Sequence, residues 1–104
     1  MAARRRPVVW TPSAQAALDG ALEYIAQESL EGAQRVLHAT LDLTTSLETL
    51  SERGRIVPEL DDPSVREVFV YSYRLIYEVR GSEVRIVAFL HGARDFARWW
   101  RAQT

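Results

Sequence analysis

Residues 65–96 read VREVFVYSYRLIYEVRGSEVRIVAFLHGARDF, three apolar runs joined by short polar breaks and closed by a compact polar cluster. The middle run, Tyr73-Arg74-Leu75-Ile76-Tyr77-Glu78-Val79, is rich in β-branched and aromatic side chains. Arg80-Gly81-Ser82-Glu83 breaks the chain before Val84 to Leu90 resumes the pattern, which is a hairpin signal. Alternation puts Tyr73, Leu75, Tyr77 and Val79 on one face and Arg74, Ile76, Glu78 and Arg80 on the other. One face should therefore be dry and the other mixed. From Ile86 to Leu90 the last run is continuously apolar, as suits a central strand covered on both sides. His91-Gly92-Ala93-Arg94-Asp95 ends it abruptly.

The upstream half supplies the cover. Pro7-Val8-Val9-Trp10 is a short β-like run stopped by Thr11-Pro12, where Thr11 suits a helix N-cap and Pro12 the first helical position. Ala14, Ala17, Leu18, Ala21, Leu22 and Ile25 then recur at spacings of three and four, predicting a helix over 12–28. Ser29-Leu30-Glu31 caps a second helix, whose stripe of Ala33, Val36, Leu37, Thr40, Leu43, Leu47 and Leu50 extends to Glu52, with Gly54 placed to end it. So short a connection makes the pair an antiparallel hairpin that must bury its apolar faces on the sheet. Residues 54–64, GRIVPELDDPS, read as a loop. In the tail, Phe96, Trp99 and Trp100 share one face of a helical turn or two, expected to dock on the domain. The expected architecture is α+β, in the order β-α-α-β-β-β with a possible short C-terminal helix.

At 104 residues the chain reads as a single domain, 1–104, with a modest core. Its net charge of −1 hides an asymmetry: residues 11–64 hold three basic and ten acidic side chains (−7), and residues 65–104 hold seven and four (+3). The sheet half is the side on which a charged partner is expected. All 13 basic residues are arginine, a bias attributed to genome composition, and the Arg4-Arg5-Arg6 triplet reads as a solvated terminus. With no cysteine there is no thiolate metal site or disulfide framework, and no apolar run approaches a membrane span. A cytoplasmic protein is expected.

Taken together, "VVWTPSAQAALDGALEYIAQES", "GRIVPEL", "VREVFV", "YRLIYEV" and "HGARDF" resemble the RelE/ParE superfamily, the toxin halves of bacterial type II toxin-antitoxin modules. The Trp-Thr-Pro start and the His-Gly-Ala-Arg-Asp finish bring the chain nearer the ParE-like branch. The resemblance implies a small sheet with a helical hairpin packed on it, held inactive by a cognate antitoxin whose C-terminal segment lies over the toxin. DNA contact would be indirect, through that antitoxin. ParE-like toxins are gyrase poisons and RelE-like toxins are ribosome-dependent messenger RNA endonucleases, a choice that a shared fold leaves open.

A nuclease of the second kind needs a general base, phosphate-neutralising cations and a general acid. The resemblance assigns these roles to Glu59 as base, Arg66 and Arg74 as clamps and His91 as acid. Against it, the last strand ends in Leu90-His91-Gly92 rather than in the family's catalytic string, and lysine is absent. Surface pairing is the default for strand arginines, so Arg66 is expected to pair with Glu67 or another sheet acid and Arg74 with Glu78; His91 is read as bonded to Asp95 or backbone in preference to acting as general acid, and His38 as structural. His38, His91 and Asp61-Asp62 form no metal-ligand spacing, and no cofactor motif is present. The leading expectation is therefore gyrase binding through Arg74, Arg94, Arg98 and Trp99. An antitoxin segment is expected in the groove between hairpin and sheet, on Leu18, Leu22, Ile25, Val36 and Leu43. A ribosome-dependent endonuclease is the alternative, and a decayed toxin that only binds antitoxin is a third.

Overall fold

The computed structural model describes residues 5–92, 94 and 96–103. Asp95 lies outside them. The elements run β1 (Val8–Trp10), α1 (Pro12–Ala26), α2 (Leu30–Leu47), β2 (Arg55–Ile56), β3 (Val65–Val70), β4 (Tyr73–Val79), β5 (Val84–His91) and α3 (Phe96–Gln103). Five strands form one sheet in the order β1-β5-β4-β3-β2. The β2-β3-β4-β5 pairs are antiparallel and β1 joins β5 in parallel. Both helix starts follow the caps expected: Thr11 Oγ1 accepts the Ala14 amide at 3.1 Å and Ser29 Oγ that of Gly32 at 2.8 Å.

Strand parity sorts the core into two layers. Leu75, Tyr77, Val70, Val84, Ile86 and Phe89 pack with Ala14, Leu18, Val36 and Leu47 on the side of the helical hairpin. Val57, Val65, Ile76, Ala88, Leu90 and Phe96 pack on the other side, beneath α3. Within β5 the register slips: Ile76 faces Ala88 while Tyr77 faces Ile86, leaving Val87 as the extra residue of a bulge that switches the parity of the strand. Ile86 and Phe89, three apart, thereby reach one face, and Ala88 and Leu90 the other. The continuous apolar run is the sequence's record of that arrangement.

The second helix stops at Leu47 rather than Glu52. Its last turn tightens as Glu48 N–H turns to Thr45 O at 3.2 Å, and Thr44 and Ser46 hydroxyls donate back to Leu41 and Leu43 carbonyls. Leu50 is consequently exposed. Gly54 does not cap the helix. It starts the path to β2, a two-residue strand inside the segment read as loop, and passes close over the sheet. Its amide donates to Tyr77 Oη at 2.9 Å, and a Cβ at this position would stand 2.7 Å from both Glu67 O and Tyr77 Oη. Gly54→Ala is therefore expected to cost about 1–3 kcal/mol, seen as a lower denaturation midpoint with an unchanged m-value.

Candidate functional site

On the α3 side of the sheet, Glu67 and Arg74 are diagonal neighbours, because Phe69 faces Arg74 and Glu67 faces Ile76 in the β3-β4 register. Both are buried. Arg74 Nε donates to Glu67 Oε1 at 2.9 Å, and Nη2 makes a second, shorter bond to the same oxygen. The outer edge of that guanidinium grips Glu59, with Nη1 to Oε2 at 2.9 Å and Nη2 to Oε1 at 3.0 Å. From β2, Arg55 Nε reaches the free side of Glu67 at 2.5 Å. The Phe96 ring closes the group, its centroid 5.1 Å from Arg74 Cζ. Two arginines thus meet two carboxylates in a network with every charge answered.

These contacts differ from the pairs expected from sequence, for geometric reasons. Arg74 and Glu78 share a face but lie four residues apart on one strand, roughly 13 Å. Adjacent Arg66 and Glu67 point to opposite faces. Glu78 instead pairs with Arg80 at 3.5 Å. Arg66 lies opposite Tyr77 on the helix side, where Nη1 donates to Gly54 O at 2.9 Å and Glu52 O at 3.3 Å, while Nε is buried with no partner. His91 also belongs to the helix side, edge-on to Tyr73 at 5.6 Å, and Tyr73 stacks on Phe89 at 5.1 Å. Of the four nuclease candidates, the fold joins Glu59 to Arg74 and puts Arg66 and His91 across the sheet from them. His38 is exposed on α2.

The hydrogen bonds from Arg74 hold the Glu59 carboxyl below the usual carboxylate range, outweighing its partial burial. A depressed folded-state pKa contributes stability above the unfolded value that is lost as pH falls through the folded one. Glu59→Gln is therefore expected to be less stable than the parent at pH 7, with the gap narrowing below about pH 4.3, measured by urea unfolding across pH. Burial pushes the Tyr77 phenol up, keeping it neutral over the amide that it accepts.

Residues 8–96 match the family model of the ParE toxin of type II toxin-antitoxin systems, parDE. This chain belongs to the ParE toxin family. The fold is similar to the chromosomal ParDE TA system from P. aeruginosa, with a TM-score of 0.68 and 21% identity over 85% of this chain and 97% of that one. It is also similar to the YoeB dimer from Staphylococcus aureus (TM-score 0.58, 14% identity, 84% and 97% covered). The YoeB-YefM complex from the same organism gives a TM-score of 0.53 at 15% identity, with 84% and 97% covered. No curated protein sequence matches the chain.

In this ParE-type toxin the remaining sequence-derived sites are dispersed. Leu18 and Val36 are buried in the hairpin-sheet core, and Leu22, Ile25 and Leu43 are half-buried against it. Tyr24, Leu30 and Leu41 are the large apolar residues exposed on the hairpin. Arg94 and Arg98 are exposed, Arg74 is not, and the Trp99 side chain lies outside the described residues. Among the described residues no three His, Asp or Glu groups come together as metal ligands, and no helix is long and apolar enough to cross a membrane. Arg55, which completes the ion network, has no role in the sequence reading, and Glu67 enters it only as a partner for Arg66 rather than for Arg74 and Arg55. The signal was there in VREVF, where a glutamate occupies the same parity as Val65.

Proposed function

We propose that this ParE-type toxin acts by protein–protein binding to DNA gyrase in the cytoplasm, and that it does not cleave RNA. The observation that carries this reading is the closed state of the Glu59-Arg74-Glu67-Arg55 network. An arginine saturated by two carboxylates is a poor phosphate clamp. A glutamate held below its ordinary pKa is a poor general base, since proton transfer is most efficient near the working pH. The candidate acid, His91, packs on the opposite layer. Membership of the ParE family supports the same choice over ribosome and messenger RNA. An antitoxin partner is supported by the ParDE and YoeB-YefM assemblies to which the fold is similar. Its C-terminal segment is proposed to lie along the hairpin, on Leu22, Ile25 and Leu43 and the exposed apolar side chains beside them.

Induction of the chain alone in a bacterial host tests this, with labelled thymidine and labelled methionine followed over the first minutes. DNA synthesis is expected to stop first, and Glu59→Gln and His91→Gln are expected to arrest growth within about twofold of the parent. If translation stops first and either variant is inert while still folded, the toxin is a ribonuclease.

A further inference from the structure

The β3-β4 hairpin has a two-residue tip, Tyr71-Ser72, between paired Val70 and Tyr73. Tight tips of this kind favour Gly or Asn, which tolerate positive φ. Here Tyr71 has φ 53° and its side chain is 64% exposed. A bulky residue in the left-handed region is strained, and burial of its ring does not repay that strain. Next to it Phe69 is 55% exposed, with Arg55 Cζ 5.8 Å from the ring centroid. The tip is firmly held: Gly92 N–H donates to Ser72 O at 2.8 Å, and a Cβ on Gly92 would meet that oxygen at 3.2 Å and Phe69 Cε1 at 3.6 Å. Behind it, on the helix side, a shallow cleft of about 290 Å³ is lined by Ile25, Arg35, Val36, Tyr71 and Tyr73 among others, with no acidic side chain.

Resting on the reading that the toxin works through a protein partner, we propose that this tip is its target-contact knob. Tyr71 and Phe69 insert into an apolar pocket on the target whose rim carries carboxylates, met by Arg55 on one side and Arg35 on the other. The charges argue for that occupant. Both flanking groups are arginines, Arg55 is oriented by buried Glu67 while 62% of its side chain stays exposed, and neither the cleft nor the tip offers an acid to a basic partner. Exposed aromatics with adjacent arginine on a rigid support are the composition of a binding hot spot. Two aromatics set on a fixed turn also lose little freedom on binding.

Tyr71→Asn separates this role from folding, because asparagine relieves the strain at φ 53° while deleting the ring. Its Tm is expected to equal or exceed the parent's. Growth arrest should be lost, affinity for immobilised gyrase subunits should fall at least tenfold, and co-purification with the product of the adjoining reading frame should persist. Phe69→Ser and Arg35→Glu are expected to act in the same direction, and Ser82→Ala, in the exposed β4-β5 turn at the other end of the sheet, to change nothing. Full toxicity of Tyr71→Asn overturns the proposal, as does loss of antitoxin binding without loss of toxicity. If the parent binds no gyrase subunit, the gyrase reading falls by itself. The knob is then decided by growth arrest alone: a folded, antitoxin-binding but harmless Tyr71→Asn upholds it, and a toxic one removes it.

Discussion

Arg74→Ala is expected to destabilise the domain by about 3–5 kcal/mol, because it leaves Glu67 as a buried carboxylate stripped of its inner partner. Arg55 still reaches Glu67, but from a largely exposed position, so it places the loss toward the lower end without cancelling it. Glu59 can turn to solvent at little cost, since a third of its side chain is already exposed. Phe96 loses the guanidinium beneath its ring. A domain of this size has only about 5–15 kcal/mol to lose, so the variant should unfold at markedly lower urea. The control is the pair Arg74→Met with Glu67→Gln, which removes both charges and should recover much of the loss. If Arg74→Ala costs under about 1 kcal/mol, the network is not closed in solution and Arg74 is available to a ligand. The corollary concerns toxicity assays. A harmless Arg74→Ala says nothing about phosphate binding until its folding has been measured, whereas Glu59→Gln, at a partly exposed side chain, should cost less stability and discriminates once it is shown to be folded.

What sequence patterning captured here was parity and period. Alternation in residues 73–79 put Leu75 and Tyr77 on one face, and they are found together in the helix-side layer; the 3.6-residue stripes with Thr11 and Ser29 as caps located both helices. Patterning failed where the controlling contact is remote in sequence. Gly54 reads locally as a helix stop, yet its role is set by Tyr77, 23 residues away. Leu50 continues the stripe of α2, but the chain has already turned at Leu47. For the site, residue types were legible and partners were not. Opposite faces separate Arg66 from Glu67, and strand length separates Arg74 from Glu78, so neighbours in sequence were the wrong partners. The register that joins Arg74 to Glu67 depends on the tip at Tyr71-Ser72, a turn with no glycine or asparagine to announce it.

Phe96→Ala should have an effect of similar size, about 3–5 kcal/mol, and it tests whether the tail belongs to the fold. Phe96 is fully buried among Val57, Val65, Ile76, Ala88 and Leu90, and its ring tilts against Trp100 at 5.7 Å. Removing it leaves a cavity between sheet and helix and takes away the cover over Arg74. The eight residues of α3 are too few to stay helical without tertiary support. Loss of the anchor should therefore melt the helix before the sheet. The expected sequence of signals on titrating denaturant is an early red shift of tryptophan fluorescence as Trp100 is released, then a separate loss of far-UV ellipticity as the remaining layers unfold. The parent should show both together, because its second core layer is closed by the same residue that shields the ion network. If the variant unfolds in one step at nearly the parent's midpoint, α3 contributes no stability and the Glu67-Arg74 pair must tolerate solvent on that side. In that case Arg74→Ala should also prove mild, since water would then solvate the carboxylate it leaves behind. The two substitutions stand or fall together, and measuring both distinguishes a sealed network from an open one.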